Sequence, residues 1–416
     1  MKKYYIYLFA AITFGIIYWG CRPPQTGQQA ATQTNVQATA PGDPYSYKKF
    51  LDSIGTLAMN APDEFNWLVF LKINKKAPDT WQKNISGKAS NNAIWETWAD
   101  DGRTFPSNDT APTWPTTNNM LTSKKLTPIT QQIIRRLMMQ RMKKVKRFFI
   151  EPNGASEEVR RDKASFDYIV QNGLWNQAGL KKAYDKAKSA SQYNPITFPS
   201  DAIEIKADWR PISKDSMSFF HWNYDATGTL YGLVALHIMT KEVPNWTWAT
   251  WEWVGNPGRC DYIGCHDTFG VVPENVPSYS GTKQQYPPGS LTPRLLQLFK
   301  DFGVSDEWKY YRLKGSQTDF TDATGKTTLL GNSILEKGFV PTASCIGCHA
   351  YASFNSQGLV NQNFVFVQNS GDSLQSPNGI PADTTFWHNP ADAKVPSNIK
   401  NMQADFVWGF ITMPAS

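Results

Sequence analysis

Ala202-Ile203-Glu204-Ile205-Lys206-Ala207-Asp208-Trp209 alternates apolar and polar side chains. A period of two belongs to a half-buried strand, because successive side chains leave the backbone on opposite sides. Downstream, Tyr231 to Met239 is apolar on both faces, as in the centre of a sheet, and carries His237 in its middle. Thr247 to Val254 reads as a third strand and Trp308 to Leu313 as a fourth. Upstream the pattern changes to helices. Phe65 to Leu71 and Ala93 to Trp98 are short apolar-aromatic pieces, and Phe166 to Trp175 and Gly179 to Ser189 follow as further helices. Thr127 to Phe149 is the longest: Pro128 suits a first turn, and Ile129, Ile133, Leu137 and Val145 form one stripe. Between Lys124 and Arg147 it carries nine basic residues and no acidic one. Such a run is a solvated face, a docking surface or a contact with anionic headgroups. Helices first and strands afterwards predict a mixed α+β fold.

The strands lead to Ser344-Cys345-Ile346-Gly347-Cys348-His349, where a short helix is expected from the capping-box spacing of Ser333-Ile334-Leu335-Glu336. Two thiols one helical turn apart can form thioethers to the two vinyl groups of a porphyrin, and the next residue offers its imidazole to the iron. Cys345 and Cys348 are thus candidates for covalent attachment of haem c, and His349 for the proximal ligand. With 5 Cys and 5 His in 416 residues, chance produces this pattern in about one such chain per thousand. The alternative is a redox-active or structural Cys345–Cys348 disulfide. A second segment, Cys260-Asp261-Tyr262-Ile263-Gly264-Cys265-His266, has the same Ile-Gly-Cys-His ending but four residues between its cysteines. It is read as a second haem site, with Cys260 and Cys265 attaching and His266 ligating; the alternative is a Cys260–Cys265 disulfide in an oxidising compartment.

The amino terminus supports such a compartment. Lys2 and Lys3 precede an apolar run from Tyr4 to Trp19, short of the roughly 20 residues a membrane helix needs, so residues 1–20 read as an export signal. The run ends at Gly20-Cys21, as a bacterial lipoprotein cleavage site does, which makes Cys21 the candidate lipidation site and membrane anchor. Residues 21–44, rich in Gln, Thr, Ala and Pro, form a tether spanning about 25 to 30 Å. Residues 45–416 are the folded domain, placed in the cell envelope. A net charge of +7 is too diffuse for nucleic-acid binding, and no compact basic motif is present, though it would help steer an acidic redox partner. HExxH, phosphate-loop and nucleophile-elbow motifs are absent from the sequence, which removes the best-marked hydrolase and nucleotide chemistries.

AIEIKADWR (Ala202 to Arg210), LVALHI (Leu233 to Ile238), TWATWEWV (Thr247 to Val254) and SCIGCH (Ser344 to His349) resemble landmarks of a bacterial family of exported cytochrome c-like proteins. The resemblance runs from roughly residue 65 to residue 370. It implies covalent haem in the C-terminal half and export, and it names no reaction.

The sixth position of a haem iron separates electron transfer from catalysis. His237 in its buried strand is the leading candidate, with His221 and His388 behind it; Met402 and Met413 are the downstream methionines, and Met217 and Met239 read as core. The expectation is a membrane-tethered electron carrier with one or two haems. Its alternatives are a dihaem peroxidase-like enzyme with one open iron and a binding lipoprotein with a structural haem.

Overall fold

The computed structural model describes residues 46–82, 89–108, 110–116, 156–190, 194–225, 227–276, 285–337, 339–360, 367–368, 374–375, 384–388 and 398–412. The signal segment with Cys21, the tether, the basic helix expected over Thr127 to Phe149, and Met413 lie outside these residues. The chain divides between Thr39 and Ala40, and the second unit holds all the described residues.

A seven-stranded antiparallel sheet forms the frame. Its strands are β1 (Ala99–Asp100), β2 (Ser156–Arg161), β3 (Ile203–Pro211), β4 (Trp222–Tyr224), β5 (Leu230–Thr240), β6 (Thr247–Trp253) and β7 (Tyr311–Gln317), in the order β1-β2-β3-β5-β6-β7 with β4 beside β5. With helices packed around it, the fold is α+β. Strands β3, β5 and β6 fall where the sequence pattern places them. The fourth expected strand starts later: Trp308 belongs to a 3-10 turn, Asp306–Tyr310, which buries its indole before the chain extends. Ala93 to Trp98 is likewise a single 3-10 turn, Ile94–Thr97, because Glu96 reaches back to accept from the Ala93 amide at 2.7 Å.

Register assigns each face of the sheet. Lys206 pairs with His237 and His237 with Thr250, so these three share one face; Ile205, Ile238 and Ala249 lie on the other. The apolar face is covered by α1 (Pro62–Ile73), which starts with Pro62 in its first turn and acidic Asp63 and Glu64 beside its positive dipole end. Phe70 of α1 stacks on Trp251 at 4.9 Å, and Trp67 meets Trp251 edge-on at 5.9 Å. Burying each such ring contributes about 1.5 to 3 kcal/mol. The opposite face was expected to meet solvent where it is polar, yet Glu204, Asp208 and Glu252 are all buried. A second apolar cluster closes its end. There Met239 and Trp248 of the sheet pack with residues of α2 (Lys163–Gln171) and α3 (Gln177–Ser189), with Ile346, and with the C-terminal residues Met402 and Phe410. Among the described residues no helix is long and apolar enough to cross a membrane.

Candidate functional site

Cys345–His349 is a one-turn helix, here α5 (α4 being Pro293–Phe302), on the polar side of the sheet. A helix this short needs its first amides satisfied from outside. Ser344 supplies one bond, accepting from Gly347 N at 3.3 Å. Gln317, at the end of β7, supplies the other: its Oε1 accepts from Ile346 N at 2.9 Å while its Nε2 donates to Ser344 Oγ at 3.0 Å. The sheet edge thereby fixes the helix that presents both thiols. Cys345 and Cys348 are unpaired and half-buried. Burial, with the Glu336 carboxylate nearby, pushes the Cys345 thiol well up and that of Cys348 to about 12.

The His349 ring is held from two sides. Its Nδ1 lies 2.8 Å from the carbonyl oxygen of Phe406. A carbonyl only accepts, so Nδ1 carries the hydrogen and Nε2 keeps its lone pair. Trp248 of β6 packs against the ring, with centroids 4.5 Å apart. Burial is the main cause that pushes the imidazole down to about 4, leaving it neutral as a ligand must be. The Phe406 carbonyl is aimed by an unusual corner. Asp405 and Phe406 both have left-handed backbone, at φ 48° and 68°, and Asp405 is pinned by Lys241 Nζ at 2.6 Å and by Phe198 N at 2.7 Å.

His237 stands on the same sheet face, two residues along β5 from Met239, the cross-strand partner of Trp248. Its Nε2 lies 3.1 Å from Glu336 Oε1. Although burial opposes ionisation, His237 and Lys206 hold the Glu336 carboxyl below its ordinary value, so it accepts and His237 Nε2 donates. His237 Nδ1 is buried with no hydrogen-bond partner among the described residues. The expected helix over Ser333 to Glu336 is instead a turn nailed to the sheet. Asn332 Nδ2 donates to Thr250 Oγ1 at 2.8 Å, Glu252 accepts from Ser333 N at 2.8 Å, and Glu336 Oε2 accepts from Asn332 N at 2.6 Å. These bonds use the buried polar face that the alternation had left for water.

The second cysteine segment is arranged differently from the expected haem site. Cys260 and Cys265 are joined in a disulfide, with Cα atoms 5.1 Å apart. The cause is local: Tyr262 and Gly264 both adopt left-handed backbone, at φ 65° and 76°, so the loop between the cysteines doubles back. At Gly264 a Cβ would come within 2.7 Å of the Val276 carbonyl, so the turn requires glycine. His266 is exposed, and its Nε2 makes a 2.8 Å hydrogen bond to the Ile263 carbonyl. In this structure both thiols are occupied and the imidazole is turned onto its own loop, so the segment takes the form of the alternative reading, a disulfide turn.

The remaining candidates separate as well. His221 is buried at 1% exposure, hydrogen-bonded to Glu96 at 2.5 Å and stacked on Trp308 at 4.2 Å, which makes it a core pair. Met402 is buried in a two-residue pairing with Ser353–Phe354 and packs in the second cluster. His388 forms a bridge with Ile399. The sequence reading passed over Gln317, Trp248 as a ring wall, and the Phe406 carbonyl. Neither a side chain reaching back from a strand nor a carbonyl at a corner leaves a mark in residue spacing. Compared with known proteins, the chain matches no family model, no curated protein sequence and no solved structure.

Proposed function

We propose that the chain is an exported, lipid-anchored c-type cytochrome that carries one covalent haem on Cys345, Cys348 and His349 and passes electrons. One observation carries the reading. The two thiols stand one turn apart on a helix whose next residue is a neutral imidazole, tied through Nδ1 to Phe406, with no hydrogen bond on Nε2 among the described residues. That donor set fits a porphyrin: two thiols for the vinyl groups and one imidazole for the iron. Haem held there supplies a one-electron ferric/ferrous couple. The protein's part is to fix the ring plane of His349 through Phe406 and Trp248, and to keep its Nε2 unprotonated. The buried sheet face excludes water from one side.

His237 is proposed as the group that completes or guards the sixth position. It shares the sheet face with Trp248, and Glu336 orients it by accepting from Nε2, with Nδ1 as the nitrogen left to coordinate. The Cys260–Cys265 disulfide supports an oxidising compartment and a count of one haem. A dithiol-exchange role for Cys345 and Cys348 is less well served, since exchange needs an accessible thiolate and both thiols are pushed up.

The test is the pyridine haemochrome spectrum of the protein matured with a c-type attachment system. One haem per chain is expected, lost in Cys345→Ala with Cys348→Ala and retained in Cys260→Ser with Cys265→Ser. Two haems, or loss of haem in the second variant alone, would sink the assignment.

A further inference from the structure

A second site lies apart from the attachment helix. A cavity of about 220 Å³ opens between β7, the disulfide turn and residues 287–289, and its walls include Arg259, Arg312, Cys265, Asp267 and Gly289. Both arginines are buried, at 3% and 7% exposure. Neither forms an ion pair among the described residues. Arg312 gives Nε to the Pro288 carbonyl at 2.6 Å, Nη1 to the Lys309 and Tyr311 carbonyls at 2.7 and 2.9 Å, and Nη2 to the Gly289 carbonyl at 3.3 Å. Arg259 donates Nη1 to Cys265 Sγ at 3.5 Å and Nη2 to the Pro287 carbonyl at 3.0 Å. Its Nε is buried without a partner. A guanidinium has five N–H donors, so Arg259 keeps three uncommitted.

The surrounding acids compensate the pair only in part. Burial, reinforced by the Arg259 charge, lowers Arg312 to about 10, and burial lowers Arg259. Two carboxylates also line the cavity; Asp267 raises Arg312, and the buried Glu252 raises Arg259, yet burial still leaves both guanidiniums lowered. Asp267 is committed to Trp67 Nε1 at 2.9 Å and to the Phe269 and Gly270 amides at 3.0 and 2.7 Å, and Glu274 is exposed. Burying two like charges is costly, and Asp267, Glu252 and the carbonyl dipoles offset that cost only in part.

We infer that Arg259 and Arg312 form a binding site for one small oxyanion, of the phosphate or sulfate class. The cavity is below the roughly 300 to 1,000 Å³ of drug-sized pockets, which suits a compact ligand. The forked geometry of the guanidinium matches tetrahedral oxyanions and carboxylates better than chloride. Arg312 is held rigidly by four carbonyl contacts, so it serves as a fixed charge, while Arg259 supplies the free donors.

The test uses the purified full chain as matured, with inorganic phosphate as the probe in equilibrium dialysis at constant ionic strength. One phosphate per chain is expected, displaced by sulfate and unaffected by equal chloride. Arg259→Met should abolish binding, and Arg312→Lys, which keeps the charge and loses the fork, should weaken it by about tenfold or more. Arg259→Met could fail to fold, in which case Arg312→Lys with its haem and disulfide intact decides. The inference is overturned if the wild-type protein binds no phosphate, if chloride competes equally, or if Arg312→Lys binds as tightly as wild type. Binding that appears only in haem-free protein would assign the arginines to a haem carboxylate and also overturn it. The site's residues differ from those of the attachment helix, so its failure leaves the haem reading untouched.

Discussion

At the scale of single residues, Gln317 holds more of the site than any side chain outside the CxxCH run. Its amide bridges Ile346 N and Ser344 Oγ, and its Nε2 also donates to Thr328 O and Oγ1, so one side chain ties the start of a five-residue helix to residue 328. Gln317→Leu leaves a buried amide and a buried hydroxyl short of partners, at a cost of about 1 to 3 kcal/mol. The expected outcome is a lower thermal midpoint and a smaller fraction of chains carrying covalent haem, measured by haemochrome absorbance against protein. Gln317→Glu should recover part of the attachment, because its carboxylate still accepts from Ile346. Unchanged stability and attachment in Gln317→Leu would remove it as a positioning residue. Cys345, Cys348 and His349 stand out in the sequence because the proposed haem attachment demands a fixed local spacing. Gln317 was not, since it acts from 27 residues upstream of Ser344.

At the scale of elements, β3 was read correctly from alternation and β5 from an apolar run on both faces, with β6 beside them, and the meaning of the polar positions in β3 was not. Alternation reports that two faces differ; it does not report that the second one is open. Here Lys314 and Glu252, at 1% and 0% side-chain exposure, pair beneath the turn that precedes the Cys345–His349 helix. The turn has no periodicity of its own, because its shape comes from Thr250, Glu252 and His237 on the strands. β2 was missed for a related reason: Ser156-Glu157-Glu158-Val159-Arg160-Arg161 holds one apolar residue, and its charges are satisfied by pairs such as Arg161 with Asp101 at 2.7 Å. β5 also carries the electronic prediction. If His237 completes the iron, His237→Leu should convert a low-spin ferric spectrum to a high-spin one without lowering haem per chain, and Glu336→Gln should change it less. A spectrum unaltered in His237→Leu would exclude ligation by this strand.

Across the whole molecule, buried acids dominate the response to pH. Burial raises Asp162 from 3.8 to about 8, Glu204 from 4.5 to about 7 and Asp208 from 3.8 to about 7. Over that range the folded chain binds more protons than the unfolded one, so stability falls as pH rises through these values. His349 acts in the opposite sense: lowered from 6.5 to about 4, it stays neutral in the fold and stability falls as pH drops through that interval. Above about pH 6.5, where His349 no longer opposes them, the thermal midpoint of the haem-free chain should therefore decline up to about pH 8. Asp162→Asn should flatten that limb, since Asn can still accept from Ser165 and Ile203 as Asp162 does at 2.9 and 3.1 Å. A midpoint that climbs across the interval in the wild type would contradict the assignment of these carboxyls as protonated.

The Asp405–Phe406 corner sets two demands on the chain against each other. Left-handed backbone at a residue with a side chain is disfavoured by about 1 to 2 kcal/mol, and Phe406 adopts it at φ 68°. Glycine there would relax the backbone, so a substitution that eases the local strain lies one residue away. The same change would free the carbonyl that fixes the His349 ring. Selection for robustness alone would erode this corner, and its persistence in a lineage would report that the orientation of one imidazole is worth a standing loss of stability.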